Sequence, residues 1–216
     1  IIVSALCYFV DIFDLLLFSI VRIQSLKDLG VPEESVLDVG VVLINWQMAG
    51  LLLGGFFWGI LGDKIGRVRV LFASILLYSL ANIANGFVQT VDQYAALRFI
   101  GGVGLAGELG LGVTLVSELF PKSVRGWGTA IIAGIGTSGA IFAALVADMT
   151  DWRTAYIIGG VMGLALLVLR FKLHDAGIFA KTKQSAITRG SLKTLFGEWH
   201  LIKKYAQVVL TGAPIW

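Results

Sequence analysis

Long uncharged apolar runs alternate with short polar stretches along the whole chain. Val39 to Leu61 and Val70 to Gln89 carry no charged residue. Each run matches the roughly 20 helical residues that cross a ~30 Å hydrocarbon core. The same pattern predicts six spanning helices, at about 1–23, 39–61, 70–89, 94–118, 127–147 and 154–171. Residues 24–38 are polar and include Pro32, so they predict a solvent loop. Residues 172–204 are basic, with apolar positions such as Leu192, Leu195 and Phe196. That segment suits either amphipathic helices on a membrane surface or an unstructured linker. From Tyr205 a new apolar run leads to Trp216 and reads as the start of a seventh transmembrane helix, 205–216. The chain opens at Ile1 inside an apolar segment with no basic leader, which is a span rather than a cleaved signal.

Composition agrees with the pattern. Hydrophobic residues make up 57% of the chain and charged ones 14%, a balance foreign to soluble domains. The formal charge of +3 is small and sits in the loops, so it speaks for topology and against nucleic-acid binding. Thirteen basic residues fall at 62–69, 119–126 and 170–204, Arg170 among them, against Arg22, Lys27 and Arg153 on the other side. The positive-inside rule then places the N-terminus in the cytoplasm, and a bacterial inner (plasma) membrane is the expected location. Cys7 is single, inside an apolar run, and reads as a lipid- or helix-facing packing residue. No Walker loop, nucleophile elbow or metal-ligand spacing occurs, so neither a cofactor nor a metal is expected.

Ionisable residues inside a span cost at least about 2.5 kcal/mol near its centre, so each demands a reason. Asp11, Asp14, Arg98 and Glu108 are the four. Asp11 and Asp14 share one helix face, and two desolvated carboxylates so close do not both ionise easily. They suit proton carrying, or else one of them pairs with an arginine on a neighbouring helix. Arg98 and Glu108 lie ten residues apart, ~15 Å in depth and about 80° around the axis, so both can face one cavity. A static buried ion pair is the alternative. Arg22, Asn45, Gln47 and Glu108 are the candidate substrate contacts, with Asn82 and Asn85 as further polar positions within spans. Small residues four apart (Gly50 and Gly54, Gly55 and Gly59, Gly102 with Ala106 and Gly110, Ala130 with Gly134 and Ser138, Gly159 and Gly163) predict close helix packing.

Several of these stretches carry a resemblance. Gly59, Leu61, Asp63, Lys64, Gly66, Arg67 and Arg69 resemble the loop motif between helices two and three of major facilitator superfamily transporters, with Val68 where many members have a second basic residue. Arg98-Phe-Ile-Gly-Gly102-Val-Gly104 resembles that family's fourth helix, which implies a link between Arg98 and proton coupling. Glu108 resembles the fourth-helix acid of proton-driven carriers of organic anions and sugar acids. Glu118-Leu-Phe-Pro121-x-x-x-Arg125-Gly126 resembles the loop of the metabolite and sugar:proton symporter branches. It implies a cytoplasmic gate in which Glu118 sits between Arg67 and Arg125, while Asp63 meets a helix N-terminus of the partner half. The fifth helix, at Gly134-Ile-Gly136-Thr-Ser-Gly139, lacks the Gly-Pro pair of drug:proton antiporters. Asp151-Trp-Arg-x-x-Tyr156 resembles the family's entry to helix six, with Trp152 as an interfacial anchor.

The resemblance implies an all-α integral membrane protein. Its fold would be the six-helix N-terminal half of a twelve-helix major facilitator carrier, two inverted three-helix repeats in residues 1–171. A cytoplasmic linker and the start of helix seven would follow. The expected function is secondary active transport of a small organic anion or sugar-type metabolite by proton-coupled alternating access. Asp11, Asp14, Arg98 and Glu108 would couple the proton. Expected partners are the substrate, protons, the lipid bilayer and the missing C-terminal half. Antiport and a non-transporting receptor or scaffold are the rivals; an enzyme is not expected, since no catalytic constellation sits at a membrane face.

Overall fold

The computed structural model describes residues 2–119 and 125–175, with the helical positions 203 and 207. Two compact units divide the chain, 1–183 and 184–216. The described part of the first unit is built from six long helices: α1 (Ile2–Asp28), α2 (Val36–Ile65), α3 (Arg67–Asn85), α4 (Val91–Leu119), α5 (Arg125–Met149) and α6 (Trp152–Asp175). Most of the linker and the start of a seventh helix lie outside the described residues.

The helix ends have local causes. α1 closes with Gly30 at φ 79°, where the Gly30 N–H meets the Lys27 carbonyl and the Val31 N–H meets that of Leu26. This double bond is the pattern of a glycine-terminated helix, with Val31 and Leu26 in one apolar cluster. α1 therefore runs past the predicted boundary, and the solvent loop expected at 24–38 shrinks to 29–35. A 3-10 turn at Glu33–Ser35 fills it, and Lys27 donates to Glu33 at 2.5 Å, holding that exposed carboxyl below its ordinary range. α2 and α3 meet at Gly66, φ 101°, a backbone angle that favours glycine. α3 ends at Asn85, four residues before the predicted limit. Asp151 caps α6: its carboxylate accepts the Thr154 hydroxyl at 2.6 Å and the Thr154 N–H at 3.1 Å, which keeps it ionised below the usual range.

α2 lies along α4, α1 along α5, and α3 against α6, while α3 also packs on α4 and α6 on α1. Exchanging α1–α3 with α4–α6 maps this pattern onto itself. Contacts at the glycines give the directions: Gly50 and Gly54 of α2 advance with Phe99 and Val103 of α4, whereas Gly160 and Gly163 of α6 run against Ile83 and Tyr78 of α3. Among the described residues, α2, α3, α5 and α6 contain segments long and apolar enough to cross a membrane. The other two, α1 and α4, are 27 and 29 residues long and carry Asp11, Asp14, Arg98 and Glu108. α2 and α5 show broad apolar surfaces, with Leu52, Leu53, Phe56 and Phe57 on one and Ile131, Ile135, Ile141 and Leu145 on the other. Trp152, expected as an interfacial anchor, is instead 1% exposed, and its indole N–H donates to Asp28 at 2.8 Å.

The structure divides the small-residue pairs. A Cβ at Gly50 would fall on the Phe99 carbonyl, one at Gly54 on the Val103 carbonyl and one at Gly102 on the Gln47 carbonyl. Gly55, Gly59 and Gly134 have open space around that position. Gly102→Val is therefore expected to lower stability by about 1–3 kcal/mol or more, since rigid backbone must move. Gly55→Ala should leave the thermal midpoint of the purified protein unchanged or slightly raised. Equal midpoints for the two variants would contradict the packing described.

Candidate functional site

Two layers of buried polar side chains lie between α1, α3, α4 and α6. Arg98, 2% exposed, is the centre of the first. Its Nη1 donates to the Tyr156 hydroxyl and its Nη2 to Asn82 Oδ1, both at 3.3 Å. The guanidinium also stands 5.4 Å from the Phe18 ring centre and 5.1 Å from that of Tyr156, within cation–π range. The Tyr156 and Tyr94 hydroxyls are 2.6 Å apart, the Tyr94 hydroxyl donates to Ser25 Oγ at 3.4 Å, and Ser25 donates to the Arg22 carbonyl at 3.0 Å. A guanidinium can only donate and a carbonyl only accept, so every hydroxyl in this chain points from Arg98 toward Arg22. Tyr94 and Arg98 sit four apart on α4, the spacing that places them on one face.

Asp14, 4% exposed, faces Arg98, Glu108 and Asn82. Neither carboxylate oxygen has a hydrogen-bond partner, and Arg98 Nε lacks one too. Asp14, Gln47, Tyr78, Asn82 and Arg98 line a narrow pocket with Gly101 and Leu105. Unpartnered charged groups on one pocket wall form a place for a polar ligand.

The second layer holds Glu108, 1% exposed, with Asp11, Cys7 and Tyr78 around it. Arg170 of α6 reaches Glu108 Oε1 at 3.2 Å. Arg170 falls within both the predicted span 154–171 and the basic segment that starts at 170; the structure makes it a helical residue whose side chain is 11% exposed. Leu169 and Phe171 on either side continue the apolar run, and that continuity marked Arg170 as part of the span. Tyr78 lines the pocket and also stands against Glu108, Asp14 and Asp11, so it bridges the layers.

The structure thus brings Asp14, Arg98 and Gln47 onto one pocket and puts Asp11 beside Glu108. It does not place Arg98 and Glu108 on a shared cavity wall: Glu108 is absent from the pocket lining and pairs with Arg170. Asn45 is exposed on α2, away from the pocket. Arg22 is half-buried, its side chain packed over Gly40 and its Nε without a partner. Of the expected gate, Asp63 is exposed at the end of α2, while the side chains of Arg67, Glu118 and Arg125 lie outside those described. Among the described residues no group of three or more potential metal ligands occurs.

A family model described as Major Facilitator Superfamily matches residues 4–216. The chain belongs to that superfamily. Its fold agrees with the solved structure of the proton:xylose symporter XylE bound to 6-bromo-6-deoxy-D-glucose, with a TM-score of 0.64 at 18% identity, over 79% of this chain and 43% of that one. Among curated relatives, the niacin transporter NiaP of Acinetobacter baylyi is 33% identical over 179 residues, 81% of this chain and 40% of that protein. The sialic acid transporter NanX of Escherichia coli is 30% identical over 168 residues, 76% of this chain and 40% of that protein. The 4-hydroxybenzoate transporter PcaK of Pseudomonas aeruginosa is 27% identical over 179 residues, 79% of this chain and 39% of that protein. This major facilitator chain spans less than half the length of these relatives.

Tyr156→Phe removes the acceptor on which Arg98 rests and leaves a buried donor unpaired. It is expected to lower the stability of the purified protein by about 1–3 kcal/mol in thermal denaturation. Thr137→Ala, an exposed hydroxyl bonded to its own helix's Ala133 carbonyl, should change it by less than about 0.5 kcal/mol.

Proposed function

We propose that this chain is the helix 1–6 half of a proton-coupled symporter for a small organic anion, working by alternating access. The observation that carries the reading is the pocket on which Asp14 and Arg98 both present buried charged groups without full hydrogen-bond partners. A guanidinium held rigidly by Tyr156 and Asn82 is suited to a substrate carboxylate, which it can meet with charge-assisted bonds. Niacin, 4-hydroxybenzoate and sialic acid, the solutes in the relatives' names, are all carboxylates at neutral pH.

Protonation of Asp14 would free Arg98 for such a substrate, and ionisation of Asp14 would compete for the same guanidinium. Proton and anion would then enter and leave together. Gln47 and Asn82 supply amide donors and acceptors for the rest of the solute. The second half of the carrier would complete the site, as in carriers whose solute binds near the midplane between repeats. Glu118 between Arg67 and Arg125, with Asp63 against a helix N-terminus of the partner half, would hold the cytoplasmic side closed and part when it opens.

The test is thermal stabilisation of the full carrier by a panel of carboxylates, sugars and amino acids at about pH 5.5 and pH 7.5. A ligand at about 100 times its Kd adds ~2.7 kcal/mol, enough to shift the midpoint visibly. A carboxylate that stabilises more at low pH is the expected result, with Arg98→Lys weakening it about 10-fold or more and Asp14→Asn abolishing proton-driven uptake. A carboxylate that stabilises more at high pH would replace symport with antiport. Stabilisation by neutral sugars alone would remove the anion from the proposal.

A further inference from the structure

Arg170 gives the second layer a function of its own. Asp11 and Glu108, 3% and 1% exposed, face each other across α1 and α4, and Arg170 supplies one guanidinium to the two of them. Among the described residues the charged or titratable neighbours of Glu108 are Asp11, Asp14 and Cys7 on α1, Tyr78 on α3 and Arg170 on α6. α2 brings Trp58, which is neutral and donates its indole N–H to the Val103 carbonyl. Arg98 is occupied with Tyr156, Asn82 and Asp14 in the first layer.

The described interior therefore holds three carboxyl groups, Asp11, Asp14 and Glu108, against two guanidinium groups, Arg98 and Arg170. The excess carboxyl is in the second layer. A second negative charge there would lie next to the first with no cation left to face it, a situation that carboxyl pairs resolve by keeping one proton between them.

We propose that Asp11 and Glu108 hold one shared proton and that Arg170 is the positioning residue that fixes this number at one. The inference deepens the symport reading and rests on it for the proton's use, though not for its presence. Arg170 acts from α6, five residues before that helix ends at Asp175. When the proton leaves, two carboxylates compete for Arg170. When it is present, one carboxylate keeps the 3.2 Å contact and the other is neutral.

The measurement is infrared difference spectroscopy of the purified full carrier, which reads the C=O stretch of protonated carboxyl groups at neutral pH. An Asp14→Asn background removes the first-layer carboxyl, and no substrate or transport is needed. Among the described interior carboxyl groups one is expected protonated in that background and none once Glu108→Gln is added, because Asp11 then has Arg170 to itself. Adding Arg170→Gln should raise the count from one to two, while Arg170→Lys, which keeps the charge, should leave it at one. Should Arg170→Gln alone fail to fold, Glu108→Gln with Arg170→Gln removes both partners and should restore one protonated carboxyl, that of Asp11. A count unaffected by neutralising Arg170 in either pair of proteins would overturn the proposal, as would a count of zero in the starting background. Absence of proton-driven uptake by the carrier that retains Asp14, with these counts intact, would refute the symport reading and leave the shared proton standing.

Discussion

Charge that cannot reach water is the condition to which the six-helix unit is fitted. Asp11, Asp14, Arg98 and Glu108 are all less than 5% exposed, and the Arg170 side chain is 11% exposed. Removing one such ion from water costs several kcal/mol after relaxation, and a partner offsets this only with good geometry. The helices supply that geometry unequally. Arg98 has two hydrogen bonds, two aromatic faces and a nearby carboxylate, so its position is over-determined. Asp14 and Asp11 have far less: both Asp14 oxygens and Oδ1 of Asp11 are among the buried atoms without hydrogen bonds. The site thus combines fixed cations with under-satisfied carboxylates, and on the proposed reading protons rather than side chains would adjust there.

Close helix approach encloses these layers. α4 meets α2 with backbone on backbone at Gly50, Gly54 and Gly102, and it meets α3 at Gly104, where a Cβ would strike Tyr78. Gly159 of α6 does the same for α1, with Asp14 and Phe13 filling the room a side chain would occupy. Lipid offers no hydrophobic force between helices, so small residues matter here for contact area and not for exclusion of apolar surface from water. The same glycines bring Asp14 within reach of α6 and Tyr78 within reach of α4. Packing and chemistry are thus one arrangement in this unit.

Most of this was legible in the sequence, for identifiable reasons. Uncharged runs of spanning length located the helices, because no soluble core could accommodate so many. The four intramembrane charges stood out against that background. Their partners did not. Arg170 lies at the edge of an apolar run, where a long cationic side chain can equally turn outward to water, and only the helix packing decides between the two. The Arg98-to-Arg22 hydroxyl chain was hidden because it joins Tyr156 and Tyr94, 62 residues apart. Asn45 and Gln47 looked equivalent by composition; α2 turns one outward and the other onto the pocket, a distinction that two residues of helical phase create.

The exchange relation between α1–α3 and α4–α6 explains why the charges sit where they do. Under it α1 and α4 are counterparts, and so are α3 and α6. α1 and α4 carry the four buried charges foreseen from sequence, while α3 and α6 provide Asn82, Tyr78, Tyr156 and Arg170 from behind. A symmetric pair of central helices would give two like-charged layers and no way to tell them apart. The chain breaks that symmetry by giving α4 an arginine near one end and an acid deeper in, against two acids on α1. One layer ends balanced and the other carries an extra carboxyl group. On the reading proposed above, that inequality between the layers would assign anion contact to one and proton storage to the other.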